Sequence, residues 1–150
     1  SLVRRILDAE KVALSEDEMR MLLHPTLLYH EPPKALKSAG IRPRAMAHIT
    51  GGGLPENLGR IFTSRGLGAA LTIPVWENEV VQKVLHHADA TDAIDTFNMG
   101  FGWVAIVAPE HADQAVATGA GARILGEMNE SGTVTVAVGC SCPLLKPNAC

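Results

Sequence analysis

The amino-acid sequence predicts an α/β domain, because helical and strand patterns alternate along most of its 150 residues. Apolar residues recur with helical spacing near the N-terminus and again over residues 77–87. Short runs over residues 69–73 and 133–138 have strand character instead. Together these patterns predict a single domain over residues 1–138, followed by a tail over residues 139–150.

The first half of the chain is predicted to begin with three helices. One face of the first helix is formed by Leu2, Val3, Ile6 and Leu7. Residues 15–18 read Ser-Glu-Asp-Glu, a capping box that begins the second helix. Pro32 suits the first turn of the third helix, which Gly40 ends. The chain then continues as a strand over residues 45–50, a helix over 56–62 and a strand over 69–73.

The second half alternates in the same way. The helix predicted over residues 77–87 has an apolar stripe of Val80, Val81, Val84 and Leu85. Residues 101–108 form an apolar strand, in which Phe101 and Trp103 are predicted to be core residues. Pro109 begins the next helix. Residues 122–125 and 133–138 are predicted as strands around a turn at residues 129–132.

Size and charge indicate a cytoplasmic globular protein. A chain of this length with 47% hydrophobic residues can form one substantial core. Thirteen basic residues against 16 acidic ones give a formal net charge of −3, without a basic run, so nucleic acid is not an expected partner. No apolar run has the length of a membrane span, so no membrane partner is expected.

The three cysteines lie outside the patterned part of the chain, at Cys140, Cys142 and Cys150. The tail that contains them lacks periodicity and is predicted to be disordered. A Cys-x-Cys pair and one distant cysteine leave a fourth metal ligand unidentified, so no metal site is predicted.

Three consecutive glycines, Gly51, Gly52 and Gly53, stand between a predicted strand and a predicted helix. Such a turn can present backbone N–H groups to an anion, because glycine has no Cβ to block close approach. The pattern therefore predicts a site for a phosphate-bearing small molecule. A tight turn that binds nothing is the alternative interpretation.

Two motifs resemble the C-terminal domain of phosphoribosylformylglycinamidine cyclo-ligase, also called aminoimidazole ribonucleotide synthetase. The first reads A-H-I-T-G-G-G-L-P-E-N at residues 47–57, and the second reads T-F-N-M-G-F-G at residues 96–102. Further similarity includes S-L-V-R-R-I-L at the start, L-H-P-T with Tyr29 and Pro32, and I-L-G-E at residues 124–127. The resemblance covers roughly residues 1 to 138.

The resemblance implies an α+β fold with a mixed sheet covered by helices, and an ATP-dependent reaction. In that reaction formylglycinamidine ribotide closes to aminoimidazole ribotide, releasing ADP and phosphate. A separate N-terminal domain supplies most of the ATP and magnesium site in the complete family enzyme. This chain is therefore expected to act as the C-terminal half, to hold neither cofactor alone, and to pair with an N-terminal domain or a second copy of itself.

The resemblance also implies which residues line the site. Those that match the two motifs are His48, Thr50, Gly51, Gly52, Gly53, Glu56, Asn57, Asn98, Gly100 and Gly102. His48 is a candidate for proton transfer, and an orienting histidine at the strand end is the alternative. Glu56 and Asn57 have a structural interpretation beside the ligand-binding one, because an acid in the first helical turn meets the positive end of the helix dipole.

Three departures from the family pattern remove positive charge. Leu27 and Glu31 stand where the family has cationic side chains, and Asp95 stands where it has arginine. If those cations bind a ribose phosphate, their loss weakens ribotide binding by about 1.5–3 kcal/mol for each lost contact. The alternative function is therefore a stand-alone binding or oligomerisation module that keeps the fold without catalysis. An unrelated phosphate-binding α/β protein is the third interpretation.

Overall fold

The computed structural model describes residues 2–10, 12–74, 78–119 and 121–139. The helices in these ranges are α1 (Leu2–Glu10), α2 (Glu16–Leu22), α3 (Glu31–Ser38), α4 (Gly53–Phe62), α5 (Glu79–Leu85), α6 (Ala90–Thr96) and α7 (Ala112–Thr118). The strands are β1 (Ala45–His48), β2 (Gly68–Ile73), β3 (Trp103–Ile106), β4 (Gly126–Asn129) and β5 (Val134–Val138). The predicted α/β class is confirmed, in the α+β arrangement that the resemblance implied.

The strands form two separate sheets. One is the antiparallel pair of β1 and β3. The other has the order β4-β2-β5, with β2 antiparallel to β4 and parallel to β5, so this sheet is mixed as expected. Because β2 lies between them, β4 and β5 are neighbours along the chain without pairing as a hairpin.

One hydrophobic core joins the two sheets through α4. Its buried members are Ala47, Ile49, Leu54, Leu58, Phe62, Ala69, Leu71 and Ile73. In β1 and the residue that follows it, Ala47 and Ile49 face this core while His48 between them is exposed, as strand alternation requires. The apolar side of α4 therefore determines which face of β1 is turned inward.

Two of the predictions need correction. The strand predicted over residues 122–125 is wrong, because the strand register with β2 begins at Gly126, and of the preceding residues only Leu125 bonds to β2, through its carbonyl and the Thr72 amide at 2.7 Å. The chain also contains α6, for which no element was predicted. Asp89 caps this helix through a hydrogen bond from the Thr91 amide at 2.9 Å, and that Asp-Ala-Thr start was the available signal.

The tail prediction concerns residues that mostly lie outside the described ranges. Cys140, Cys142 and Cys150 are among them, so nothing structural is assigned to the three thiols. Gly139 is described, and its amide donates to the Ile73 carbonyl at 2.9 Å. Across the described part of the chain, no helix combines the length and apolar character of a membrane span.

The capping box predicted for α2 is confirmed. The Ser15 amide donates to Glu18 Oε2 at 2.7 Å, and the Glu18 amide donates to Ser15 Oγ at 3.3 Å. The Glu18 carboxylate also accepts a hydrogen bond from Lys83 on α5. These contacts hold the pKa of Glu18 below its ordinary value of 4.5, with the Lys83 bond as the main cause and the Ser15 amide as the next.

Glu18 is expected to make stability depend on pH. A carboxyl with a lowered pKa in the folded state stabilises the protein fully above its unfolded pKa, and this contribution is lost as pH falls through the folded value. The difference in free energy of unfolding between the wild type and Glu18→Gln should therefore shrink in acid. Urea denaturation of both proteins across acidic pH measures it. An unchanging difference would contradict the assignment, and Glu16→Gln is the control on the same helix.

Candidate functional site

The glycine turn connects β1 to α4 and adopts a conformation that glycine favours. Gly52 and Gly53 have φ angles of 90° and 55°, in the left-handed region. The Gly53 amide donates to the Thr50 carbonyl at 3.1 Å, so that N–H group is used within the turn. The amides of Gly51 and Gly52 have no backbone acceptor among the described residues, and Gly51 is exposed. These two amides are therefore the ones available to an anion.

Gly53 packs directly against the segment that leads into the second motif. A Cβ built on Gly53 would lie 1.9 Å from the Ile94 carbonyl oxygen and 3.0 Å from that of Phe97. Only a residue without a side chain permits this approach between α4 and the C-terminal end of α6. The two motifs are thus in contact, which sequence spacing alone did not reveal.

The second motif forms a tight turn immediately before β3. Met99 and Gly100, its two central residues, both have positive φ, which is the mark of a type I′ turn. The Phe101 amide donates to the Asn98 carbonyl at 2.8 Å, and Asn98 Oδ1 accepts from the Gly100 amide at 3.0 Å. Asn98 therefore uses its side-chain oxygen to shape the turn.

Both turns lie at the same end of the β1–β3 pair. Because these strands are antiparallel, the segment after β1 and the segment before β3 meet at one edge. The Ile49 amide donates to the Gly102 carbonyl at 2.9 Å and extends the pairing beyond the strands. The sheet therefore brings residues 50–53 and residues 98–102 to one surface.

Asn57 holds the glycine turn from inside. It is the buried polar residue of the described core, with 9% of its surface exposed. Its Nδ2 atom donates to the carbonyls of Gly53, Gly51 and Thr50 at 2.7, 3.1 and 3.4 Å, and its Oδ1 accepts from Arg60 at 3.0 Å. Of its two interpretations, this geometry supports the structural one.

Glu56 lies over the turn and brings a negative charge to it. Its side chain folds back toward Gly52, where a Cβ would meet Glu56 Oε2 at 2.0 Å. Arg60 approaches the same carboxylate at 3.4 Å, and both side chains are largely exposed. An acid in the first turn suits the positive end of α4. The carboxylate thus occupies part of the space that an anionic ligand at Gly52 would need.

His48 faces the opposite side of the β1–β3 pair from the core and α4. Trp103 is its direct cross-strand partner, and the Tyr29 ring lies 5.8 Å from the imidazole at an interplanar angle of 55°. A cavity of about 380 Å³, named here the His48 pocket, is lined by Leu27, Leu28, Tyr29, Met46, Ala47, His48 and Trp103. Phe101 packs against the core as predicted, whereas Trp103 lines this pocket.

The three departures from the family pattern occupy different places. Leu27 lies on the wall of the His48 pocket. Glu31 is bonded to its own neighbours, Lys34 at 3.0 Å and His30 at 2.9 Å. Asp95 is exposed on α6. The structure therefore brings one of the three, Leu27, beside a candidate site residue.

A second, larger opening lies between α1 and the start of the second motif. Its volume is about 810 Å³, and its lining includes Arg4, Arg5, Asp8 and Thr96. It is shallow and open to solvent, with both guanidinium groups on the exposed side of α1. It therefore adjoins the second motif but contains none of the candidate site residues.

Comparison with known proteins agrees with the two motifs. Residues 1–139 match the family described as AIR synthase related protein, C-terminal domain. A phosphoribosylformylglycinamidine cyclo-ligase of Synechococcus sp. (strain RCC307) is 39% identical over 128 residues, which cover 77% of this chain and 37% of the relative. Another, of Sorangium cellulosum (strain So ce56), is 36% identical over 150 residues, covering 89% and 43%.

A third relative of the same name, from Synechococcus sp. (strain CC9902), is 40% identical over 126 residues, covering 76% of this chain and 35% of its own length. The chain therefore spans about two fifths of the length of the curated relatives it matches. The match over residues 1–139 includes both turns described above. This chain belongs to the AIR synthase related protein, C-terminal domain family.

Proposed function

We propose that this chain is the substrate-side domain of a phosphoribosylformylglycinamidine cyclo-ligase-like protein, which carries out ATP-dependent ring closure in purine biosynthesis. The observation that carries the proposal is the packing of Gly53 against the Ile94 and Phe97 carbonyls. This contact joins the two motifs at one end of the β1–β3 pair. Two turns that meet in this way support one shared ligand surface.

In this proposal the turn residues have different roles. The amides of Gly51 and Gly52 receive the anionic part of a phosphorylated ribotide. Thr50 and Asn98, at the same end of the strands, hydrogen-bond its polar groups. Gly53 and Asn57 maintain the shape of the turn, and Gly100 permits the positive φ of the second turn.

ATP and magnesium, which the resemblance implies, do not match the described residues. Within the described ranges, no group of three or more His, Cys, Asp or Glu side chains is arranged to hold a metal ion. At the glycine turn, the Glu56 carboxylate beside Gly52 repels a triphosphate, which carries more negative charge, more strongly than the single phosphate of a ribotide. We therefore assign the nucleotide to a separate N-terminal ATP-binding domain that acts as the partner of this chain.

Complementation tests the proposed activity. The full chain is mixed with a separately produced N-terminal portion of the relative from Synechococcus sp. (strain RCC307). The release of ADP that depends on formylglycinamidine ribotide is then measured. The mixture is expected to exceed the sum of its parts, and Asn98→Ala to reduce that excess about tenfold through a lost hydrogen bond. Glu130→Ala, at an exposed turn, is the control. A mixture no faster than its parts would overturn the proposal.

Glu56→Gln is expected to raise the affinity of the glycine turn for an anion. The change removes a negative charge beside Gly52 while keeping the shape of the side chain. An exposed charge contributes about 0.2–1 kcal/mol, so binding should tighten by about 1.4- to 5-fold. Calorimetric titration with inorganic phosphate measures the change, with Glu110→Gln as the control. Equal phosphate binding by wild type and Glu56→Gln would contradict anion binding at Gly51 and Gly52.

A stand-alone binding module is the second candidate function. Leu27, Glu31 and Asp95 favour it, because each replaces a cation of the family pattern. Calorimetric titration of the chain with formylglycinamidine ribotide separates the two functions. Heat that saturates supports the substrate-side domain, whereas no heat together with failed complementation supports the module.

A further inference from the structure

We propose that the His48 pocket is a second ligand site, which binds a planar, uncharged heterocyclic ring such as a nucleobase. This inference goes beyond the proposed function and does not depend on it, because the pocket lining includes neither the three glycines of the turn nor Asn98. Ala47 and Ile49 face the core beside α4, while His48 faces Tyr29 and Trp103.

The pocket is assembled from three segments that place aromatic rings side by side. His48 ends β1, Trp103 begins β3 directly opposite, and Tyr29 comes from the segment before α3. Side chains directly opposite in an antiparallel pair point to the same face, so the imidazole and indole share one wall. The Tyr29 ring stands tilted against the imidazole, 5.8 Å between ring centres.

Tyr29 is held in place by the second motif. A Cβ on Gly102 would lie 2.2 Å from the Tyr29 hydroxyl oxygen and 2.6 Å from its Cζ atom, so the ring rests against a backbone without a side chain. The Gly102 carbonyl in turn accepts the Ile49 amide at 2.9 Å. The aromatic wall is therefore preorganised by backbone contacts, which lowers the entropic cost of ordering it around a ligand.

The chemistry of the lining favours an uncharged ring. Leu27, Leu28 and Met46 add apolar surface, and the lining contains no Lys, Arg, Asp or Glu side chain. The imidazole supplies a donor and an acceptor for the polar edge of a heterocycle. The pocket has a volume of about 380 Å³ and is open toward solvent at Leu27 and Leu28, whose surfaces are 66% and 82% exposed. Base stacking on such rings does not require charge.

Fluorescence of Trp103 tests the proposal directly. The full chain carrying Trp76→Phe keeps Trp103 as its one tryptophan. Adenosine is expected to change the Trp103 emission in a saturable way, whereas cyclohexanol, which is apolar but not planar, is not. Adenosine 5′-monophosphate should bind within twofold of adenosine, because the lining offers its phosphate no cation. No saturable change with adenosine, or an equal response to cyclohexanol, would overturn the proposal.

Variants at Tyr29 separate ring contact from general stability. Tyr29→Leu is expected to weaken adenosine about tenfold, within the range measured for loss of one stacking ring. Tyr29→Phe should bind within twofold of wild type, because the hydroxyl rests against Gly102. If Tyr29→Leu fails to fold, Gly102→Ala serves instead, since its methyl displaces the Tyr29 ring. Equal adenosine binding by Tyr29→Leu and wild type would overturn the site.

Leu27→Arg tests the selection against charge. A guanidinium on the pocket wall is expected to tighten adenosine 5′-monophosphate by about two- to fivefold and to leave adenosine unchanged. If the wild type bound adenosine 5′-monophosphate more than tenfold tighter than adenosine, the pocket would be a phosphate site and the proposal would be overturned. The proposal would also be overturned if the chain self-associated, Leu28→Glu abolished that self-association and adenosine left it unchanged. This result would assign the surface to a protein partner.

Discussion

Gly53→Ala is expected to lower the free energy of unfolding by about 3–5 kcal/mol, among the largest effects that one methyl group can have. Two costs combine at this position. Alanine at a φ of 55° loses about 1–2 kcal/mol relative to glycine. Its Cβ would also lie 1.9 Å from the Ile94 carbonyl oxygen, so α4 and α6 must separate.

Two other glycines isolate these costs. Gly66 has a φ of 74° but open space around its Cβ position, so Gly66→Ala should lose only about 1–2 kcal/mol. Gly51 has open space and no positive φ, so Gly51→Ala should change stability by less than about 0.5 kcal/mol. Urea denaturation of the three variants measures the series. Equal losses at Gly53 and Gly66 would show that the close contact between α4 and α6 is absent.

Asn57→Asp is expected to destabilise the fold by about 3 kcal/mol or more at neutral pH, although the two side chains have nearly the same shape. The Nδ2 donor would become an oxygen that faces the carbonyls of Gly53, Gly51 and Thr50. Arg60 would still donate to one carboxylate oxygen, but the other would face carbonyl oxygens without a donor, which costs more than the lost hydrogen bonds alone. Asn57→Ala should lose about 2 kcal/mol, since it removes the side-chain hydrogen bonds to these carbonyls without adding charge.

The pH dependence of Asn57→Asp provides a second measurement. The three carbonyl oxygens raise the pKa of the introduced carboxyl, because its protonated form can donate to them, and this outweighs the opposite effect of the largely exposed Arg60. The loss in free energy of unfolding caused by Asn57→Asp should be smallest in acid. It should reach its full size once the pH has risen above the pKa of the carboxyl in the folded state. Asn98→Asp is the matched control, because Asn98 uses its oxygen as an acceptor and aspartate keeps that oxygen. Equal losses at the two positions would contradict the assigned hydrogen bonds.

Local chemistry made much of the fold predictable from sequence. The capping box of α2, the apolar stripe of α5 and the glycine turn after β1 act through neighbouring residues, and all three are confirmed, although α4 begins at Gly53 and not at residue 56. The strand predicted over residues 122–125 failed because strand bounds depend on a pairing partner, and the register with β2 begins only at Gly126. Helix α6 is short and lacks an apolar stripe, so only its Asp89 cap marked it.

The candidate residues were found in the sequence, but their arrangement was not. Asn57 matches the motif under both of its interpretations, ligand binding and support of the turn. Only its three carbonyl partners in the structure distinguish these interpretations. His48 stands between the buried Ala47 and Ile49, so strand alternation turns it away from the core, toward Tyr29 and Trp103. A motif records residue order, whereas the direction of a side chain depends on which face of the strand is buried.

The amino-acid order by itself determined the family, the α/β class and the glycine turn at residues 51–53, because each depends on residue identity and short-range spacing. Tertiary structure decided that Gly53 closes against α6 and that Tyr29 joins His48 and Trp103 in one pocket. These contacts join residues that are distant along the chain. They form only when α4 packs between the two sheets, since burying its apolar side orients every neighbouring strand.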